Sequence, residues 1–254
     1  MGQVSVDWEN PATTVIALLL CGHVLADFLI QPRGMARKKQ NSLRVLALHA
    51  LEVGVVHGFV VLPFSWSLRG LGLVGGIALT HLAIDSVRIS LDRSLPERSL
   101  WWFFCDQAAH VGVLLLAWQM WPTTEVAGLT RAIGWGATLL AVVVFNASGG
   151  SAIVARTLAA LDPPRTKPAL DLSQTKGEGP RGAGRNIGIL ERWMILGLVW
   201  AGQWGAVGLV LTAKSIARFK KMDEQAFAEV YLVGTMTSVL VAMVSGALLQ
   251  LVLR

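Results

Sequence analysis

Several apolar stretches of bilayer-spanning length, divided by short segments rich in Arg, Lys, Gly and Pro, leave this chain few ways to fold. A helix needs roughly 20 apolar residues to cross the hydrocarbon core of a membrane, and these stretches reach that length. The composition agrees: 54% of 254 residues are hydrophobic and 15% charged, with a mean hydropathy of +0.56. A soluble domain so composed would lack the polar surface to cover itself. The expected fold is an all-α, polytopic transmembrane helical bundle with six or seven membrane helices, forming one membrane domain over residues 1–254 of a multi-pass protein of the cell inner membrane.

Charge orders the spans. The first, about Ala12 to Ile30, is followed by Arg33, Arg37, Lys38, Lys39 and Arg44 without an acidic residue, which marks a cytoplasmic loop. A second span runs from about Val45 to Leu62 and a third from about Leu71 to Ile89, the latter returning to the cytoplasm at Arg88, Arg93 and Arg98. A fourth, from Leu100 to Trp121, carries tryptophans at both ends, as interfacial belts do. Residues 1–121 thus form a four-helix core, and 122–161 hold a fifth span, about Ala132 to Phe145, that breaks at Asn146 to Gly150. Ser148-Gly149-Gly150 before a helix has the form of an anion cradle, but a plain helix break is the preferred reading. Residues 162–186 read as a solvated cytoplasmic loop.

In 187–254 the apolar stretch Ile187 to Leu211 ends in a basic patch of Lys214, Arg218, Lys220 and Lys221, which a complete crossing would deposit outside. A re-entrant hairpin turning near Ala201-Gly202-Gln203 removes the conflict. The last span runs from about Phe227 to Leu253. The net charge of +6 sits mostly in the loops between spans, so nucleic acid is not an expected partner. Membrane lipid is, and self-association is left open. Met1 to Asn10 has no Lys or Arg, so no cleaved secretory signal is expected. Cys21 and Cys105 have no paired spacing and point to reduced thiols.

Ionisable residues inside the spans are spaced as helix faces. His23, Asp27 and Gln31 follow at i, i+4 steps, as do His81 with Asp85 and Asp106 with His110, while His49 and Glu52 stand at i, i+3. Each set falls in the turns nearest the cytoplasm, so antiparallel helices would bring all four to one level. Any one HxxxD pair is also the spacing of an interhelical hydrogen-bond pair. Three at one depth, together with His49, favour a divalent metal site, because ionisable groups in lipid persist where they have partners and imidazole with carboxylate suits zinc. His57, deeper and among apolar neighbours, reads as a packing histidine. Glu191, Arg192, Lys214 and Arg218 form a second group that could hold a phosphate or an anionic head group, but an internal ion pair with ordinary anchoring is the preferred reading.

The strings Gly22-His23-x-x-Ala26-Asp27-Phe28-x-x-Gln31, Met35-Ala36-x-x-Lys39, His49-Ala50, Thr80-His81-x-x-Ile84-Asp85 and Asp106-Gln107-x-x-His110 resemble a bacterial multi-pass membrane family, domain of unknown function 3307. The likeness covers roughly the first 110 residues; Gly188 to Arg192 and Ala213 to Phe219 are similar to its longer members. The family implies a fold and little chemistry. More distantly, the paired His and Asp resemble membrane-bound metal-dependent hydrolases and helical zinc phospholipase C and nuclease folds, which would imply a multi-metal phosphoesterase.

The leading expectation is a metal-dependent hydrolase acting at the cytoplasmic membrane surface on a phosphate-containing lipid or lipid-linked substrate. His23, Asp27, His49, His81, Asp85, Asp106 and His110 would hold divalent ions, with zinc the best match to the donor set. Glu52 or an unliganded aspartate such as Asp106 would be the general base. Gln31, Glu191, Arg192, Lys214 and Arg218 would meet the substrate. A cation or proton-coupled transporter is the alternative of another class, and a non-catalytic partner with structural His/Asp pairs is a third.

Overall fold

The computed structural model describes residues 6–31, 35, 38–64, 66–121, 131–161 and 183–253. Arg33 and Arg37 of the first basic loop, and residues 162–182, most of the expected cytoplasmic loop, lie outside them. Among the described residues there is no strand. Six helical segments are long and apolar enough to cross a membrane: Pro11–Ile30, Leu43–Phe64, Leu68–Ser94, Ser99–Met120, Arg131–Leu161 and Phe227–Val252. The chain is an all-α, multi-pass membrane protein. Its packing falls into two compact units, Met1–Val144 and Phe145–Arg254, that divide within the fifth span.

The first unit contains α1 (Pro11–Val24), α2 (Leu43–Val61), α3 (Leu68–Ser94), α4 (Ser99–Met120) and α5 (Arg131–Val144). Local chemistry sets three of the starts. Asn10 caps α1, accepting from the Ala12 amide, with Pro11 in the first turn where its missing N–H costs nothing. Ser42 and Ser67 cap α2 and α3 through the amides of Val45 and Gly70. The helices α1, α2, α3 and α4 pack in sequence, and α1 also meets α4 and α5. Trp118 Nε1 of α4 donates to the Ala12 carbonyl of α1 at 2.7 Å. Glycine permits the close approach of α5, since a Cβ at Gly134 would stand 2.8 Å from Thr14 Oγ1 and 2.4 Å from the Trp8 ring.

Two features depart from simple helix geometry near the ionisable residues. The end of the first span, Leu25–Ile30, is a π-helical turn that contains Asp27; single π turns in α-helices are frequent at functional sites. The other is length: α3 continues to Ser94, beyond the expected end at Ile89. Charge had suggested a stop there, but Arg88 Nη2 pairs with Asp92 Oδ2 at 3.2 Å one turn on, so the charges extend the helix.

In the second unit a π-helical turn, Phe145–Gly149, leads into α6 (Gly150–Leu161). There follow α7 (Ala183–Trp200), α8 (Ala206–Arg218) and α9 (Gln225–Val252). The chain reverses between α7 and α8, where Gly202 adopts φ 78°, a conformation that glycine takes without penalty. Ile195 and Val199 of α7 share a core with Val207 of α8 and with Val239 and Ala242 of α9. A Cβ at Gly246 would lie 2.8 Å from Val199 Cβ, so glycine lets α9 approach α7. The hairpin expected near Ala201-Gly202-Gln203 is therefore present as a turn with packed arms.

Candidate metal centre

The first span, Pro11–Ile30, and helices α2, α3 and α4 each contribute at least one histidine and one acid to a single cluster in the first unit. His23, His49, His81, Asp85, Asp106 and His110 are all buried, and the Asp27 side chain is 11% exposed. His49 Nε2 and His81 Nε2 lie 3.2 Å apart. Asp27 Oδ1 is 3.4 Å from the first and 3.5 Å from the second. Asp85 Oδ2 stands 3.9 Å from His49 Nε2 and 3.7 Å from His81 Nε2.

The rest of the cluster extends from this triangle. His23 Nδ1 is 3.9 Å from Asp27 Oδ2. The His23 and His110 rings stack with centroids 5.2 Å apart, and the His81 and His110 centroids are 4.2 Å apart. Three groups hold their ligand atoms within 4.8 Å of one another: His23, Asp27 and His81; His49, His81 and Asp85; and Asp85, Asp106 and His110. His81 and Asp85 each belong to two of them. Burying so many acceptors together is costly unless a cation or protons compensate.

Among the described residues two cations reach the cluster. Lys39 Nζ donates to Asp85 Oδ2 at 2.7 Å, and Arg88 Nη1 lies 3.8 Å from Asp106 Oδ2 while also holding Asp92. The sequence placed both in the cytoplasmic charge pattern, and only the long-range contacts of the fold reveal them at the site. Gln107 Nε2 donates to Asp106 Oδ2 at 3.0 Å. Among the described residues, no hydrogen bond of good geometry reaches buried Oδ1 of Asp106 or of Asp27.

The remaining candidates are placed as follows. Glu52 Oε2 lies 3.3 Å from His49 Nδ1, across the ring from the nitrogen that meets His81; a carboxylate there orients a ligand histidine and fixes its tautomer. Gln31 ends the π turn, its side-chain Nε2 buried without a protein partner. His57 donates from Nδ1 to the Val53 carbonyl at 2.8 Å, as a packing histidine would, yet it lines a small cavity with His23, His81 and His110. Its neighbours in sequence are apolar, and no signal along the chain shows that it faces another helix's histidine.

Glu191, Arg192, Lys214 and Arg218 lie in the second unit. Arg192 is buried, with Nε donating to the Asn146 carbonyl at 2.6 Å and Nη2 to Ala147 O and Ser151 Oγ. Its Nη1 donates to Ser238 Oγ at 3.2 Å. The guanidinium thus fills the π-helical break, and a Cβ at Gly150 would stand 3.0 Å from its Nε. Lys214 Nζ pairs with Glu191 Oε2 at 2.5 Å. These contacts leave Arg192 and Lys214 engaged within their own unit.

Residues 15–133 match the model of a family described as a protein of unknown function, DUF3307. That interval contains every residue of the His/Asp cluster. No curated protein and no solved structure matches the chain.

Proposed function

We propose that the first unit is a membrane-embedded divalent metal centre and that the protein is a metal-dependent hydrolase of a phosphate-containing lipid or lipid-linked substrate. One observation carries the metal: the triangle of His49 Nε2, His81 Nε2 and Asp27 Oδ1 has edges of 3.2, 3.4 and 3.5 Å. Two donor atoms about 2.0–2.1 Å from a tetrahedral zinc ion stand about 3.3 Å apart, so the triangle has the dimensions of one face of such a site. His49, His81 and Asp27 would hold the ion, which would supply a polarised water. Charge supports the same reading, because Asp27, Glu52, Asp85 and Asp106 outnumber Lys39 and Arg88, the cations that reach them among the described residues. A divalent ion offsets the excess.

Asp85, Asp106 and His110 would hold a second ion. Paired ions suit phosphoryl chemistry, in which they stabilise the attacking and leaving oxygens and lower the pKa of a bound water. Within this scheme Glu52 would orient His49 and Gln31 would offer a hydrogen bond to substrate, while Asp106 Oδ1 would either hold the second ion or, left unliganded, accept a proton. Lys39 and Arg88 supply the positive charge that a phosphate oxygen needs. The positive-inside rule puts this end of the helices at the cytoplasmic face of the inner membrane.

Metal analysis of the detergent-purified protein, followed by turnover of lipid phosphomonoesters and phosphodiesters in mixed micelles, tests the proposal. Bound divalent ion, with hydrolysis that a chelator abolishes and zinc or manganese restores, is the expected result. A folded protein that takes up no ion would end the metal reading. Bound ion without turnover of any phosphoester would end the hydrolase reading and leave a cation-binding protein.

A further inference from the structure

All five histidines of the chain lie in the first unit, and His57 is the one outside the ion-binding groups. Its side chain is wholly buried. Nδ1–H donates to the carbonyl of Val53, one turn back, which leaves Nε2 as a lone-pair acceptor. Among the described residues no protein donor reaches that nitrogen. The ring is seated against α1, where a Cβ at Gly22 would stand 3.2 Å from His57 Cδ2 and 3.3 Å from Nε2. The sequence supplies a glycine where the imidazole must fit.

His23 presents the complementary end. Its Nδ1 faces Asp27, and its Nε2 is buried without a protein partner. His110 donates from Nδ1 to the Asp106 carbonyl at 2.8 Å, so its Nε2, likewise without a protein partner, is an acceptor. His23, His57, His81 and His110 line one cavity, closed by Thr80 and apolar side chains, with space for about a single water.

We propose that this cavity is a water site through which His57 positions the ligand His23. When His23 holds an ion through Nδ1, its Nε2 carries the proton, and a ligating histidine normally gives that proton to a fixed acceptor. One water accepts it and donates to His57 Nε2 and to the hydroxyl of Thr80, which lines the same cavity. It thereby makes the three hydrogen bonds typical of a buried water and leaves His110 Nε2 to the second ion. His57 is then a positioning residue of the metal centre, one helix removed from the ion. This inference rests on the metal reading for its effect on the ion, whereas the water site itself stands on the cavity and the imidazole acceptor of His57.

The test compares His57→Leu, which keeps bulk but removes the acceptor, with His57→Gln, whose side-chain carbonyl can receive the water. With zinc or cobalt(II) alone as probe, His57→Leu is expected to weaken binding about tenfold, the lower end of the range for outer-shell partners, and His57→Gln to stay within about threefold. The visible absorption bands of the cobalt-loaded protein should shift in the leucine variant and return in the glutamine variant. Wild-type affinity and spectrum in His57→Leu would overturn the positioning role.

Nitrogen-15 NMR of histidine-labelled wild type tests the water without any ion, and it serves also if the leucine variant fails to fold. A hydrogen-bonded Nε2 acceptor at His57 with magnetisation transfer from water is expected. A non-bonded Nε2 without transfer would overturn the water site. Failure of the wild type to take up metal, with the transfer present, would remove the metal centre and leave the water site standing.

Discussion

His49 and His81 stand 32 positions apart in sequence on neighbouring helices, and their Nε2 atoms meet at 3.2 Å beside a single oxygen of Asp27. An N–H between the two nitrogens accounts for one contact, and the carboxylate oxygen remains to be satisfied. An ion bound by all three satisfies every lone pair at once. Substituting any vertex should therefore affect the whole. His81→Ala and Asp27→Ala are each expected to lower zinc affinity by at least about 100-fold, more than an outer-shell change does, as measured by competition with a chromophoric chelator. Undiminished binding in either variant would place the ion elsewhere.

Lys39 is expected to act in the opposite direction. Its ammonium occupies Asp85 Oδ2, an atom that contacts both His49 and His81, so an ion using that oxygen must displace it. Both side chains of this pair are largely buried, so the ammonium competes directly with an ion for the carboxylate and Lys39→Met is expected to bind a divalent ion more tightly. If the ammonium instead receives a substrate phosphate, the same variant will show a raised KM for a phosphoester. Weaker metal binding in Lys39→Met would show that the lysine orders Asp85.

Glu52→Gln separates an orienting carboxylate from a catalytic base. The amide keeps the shape and its oxygen can accept a hydrogen bond from His49 Nδ1, but it no longer raises the basicity of that ring. Roughly tenfold weaker metal binding is expected, with the fold intact. An unaltered metal affinity combined with lost hydrolysis would assign Glu52 the role of base.

The paired acids and histidines were legible because helical periodicity is written along the chain: His23 with Asp27, His81 with Asp85 and Asp106 with His110 each sit one turn apart. Their common depth followed from where the charged loops fall. Lys39 and Arg88 were legible only as topology markers, since their contacts with Asp85 and Asp106 depend on tertiary approach. His57 lay hidden for a related reason, because the glycine that admits its ring belongs to another helix. For Arg192 the sequence offers an internal ion pair or a phosphate, whereas the π turn at Phe145–Gly149 exposes carbonyls that absorb its donors. No local pattern announces a π turn.

Arg192 should accordingly matter for stability. Arg192→Met would strip the carbonyls of Asn146 and Ala147, and the hydroxyls of Ser151 and Ser238, of charge-assisted donors. Hydrogen bonds to charged groups contribute about 1.5–3 kcal/mol each before the cost of burying the guanidinium, so a net loss of about 3 kcal/mol is expected. Thermal unfolding in detergent measures it. Bound metal should stay unchanged at temperatures where the variant is folded, because the His/Asp cluster lies wholly in the first unit.

The hairpin of the second unit yields the last prediction. Lys214 Nζ returns to within 2.5 Å of Glu191 Oε2, so the end of α8 lies level with the first half of α7. If that unit sits in a bilayer, Ser215 and Ile187, both exposed, then face the same side. The basic patch that includes Lys214, Arg218 and Lys220 makes the cytoplasm that side. Cysteines at Ser215 and Ile187, introduced singly, should both react with a membrane-impermeant maleimide in inverted vesicles and be protected in intact cells. Reversing the pair supplies an internal control: Glu191→Lys brings two ammonium groups together and should lower stability by about 1 kcal/mol. Lys214→Glu on that background should restore most of it. Labelling of the two cysteines from opposite sides would mean that residues 187–215 cross the membrane, and the pairing of Glu191 with Lys214 would then be lost.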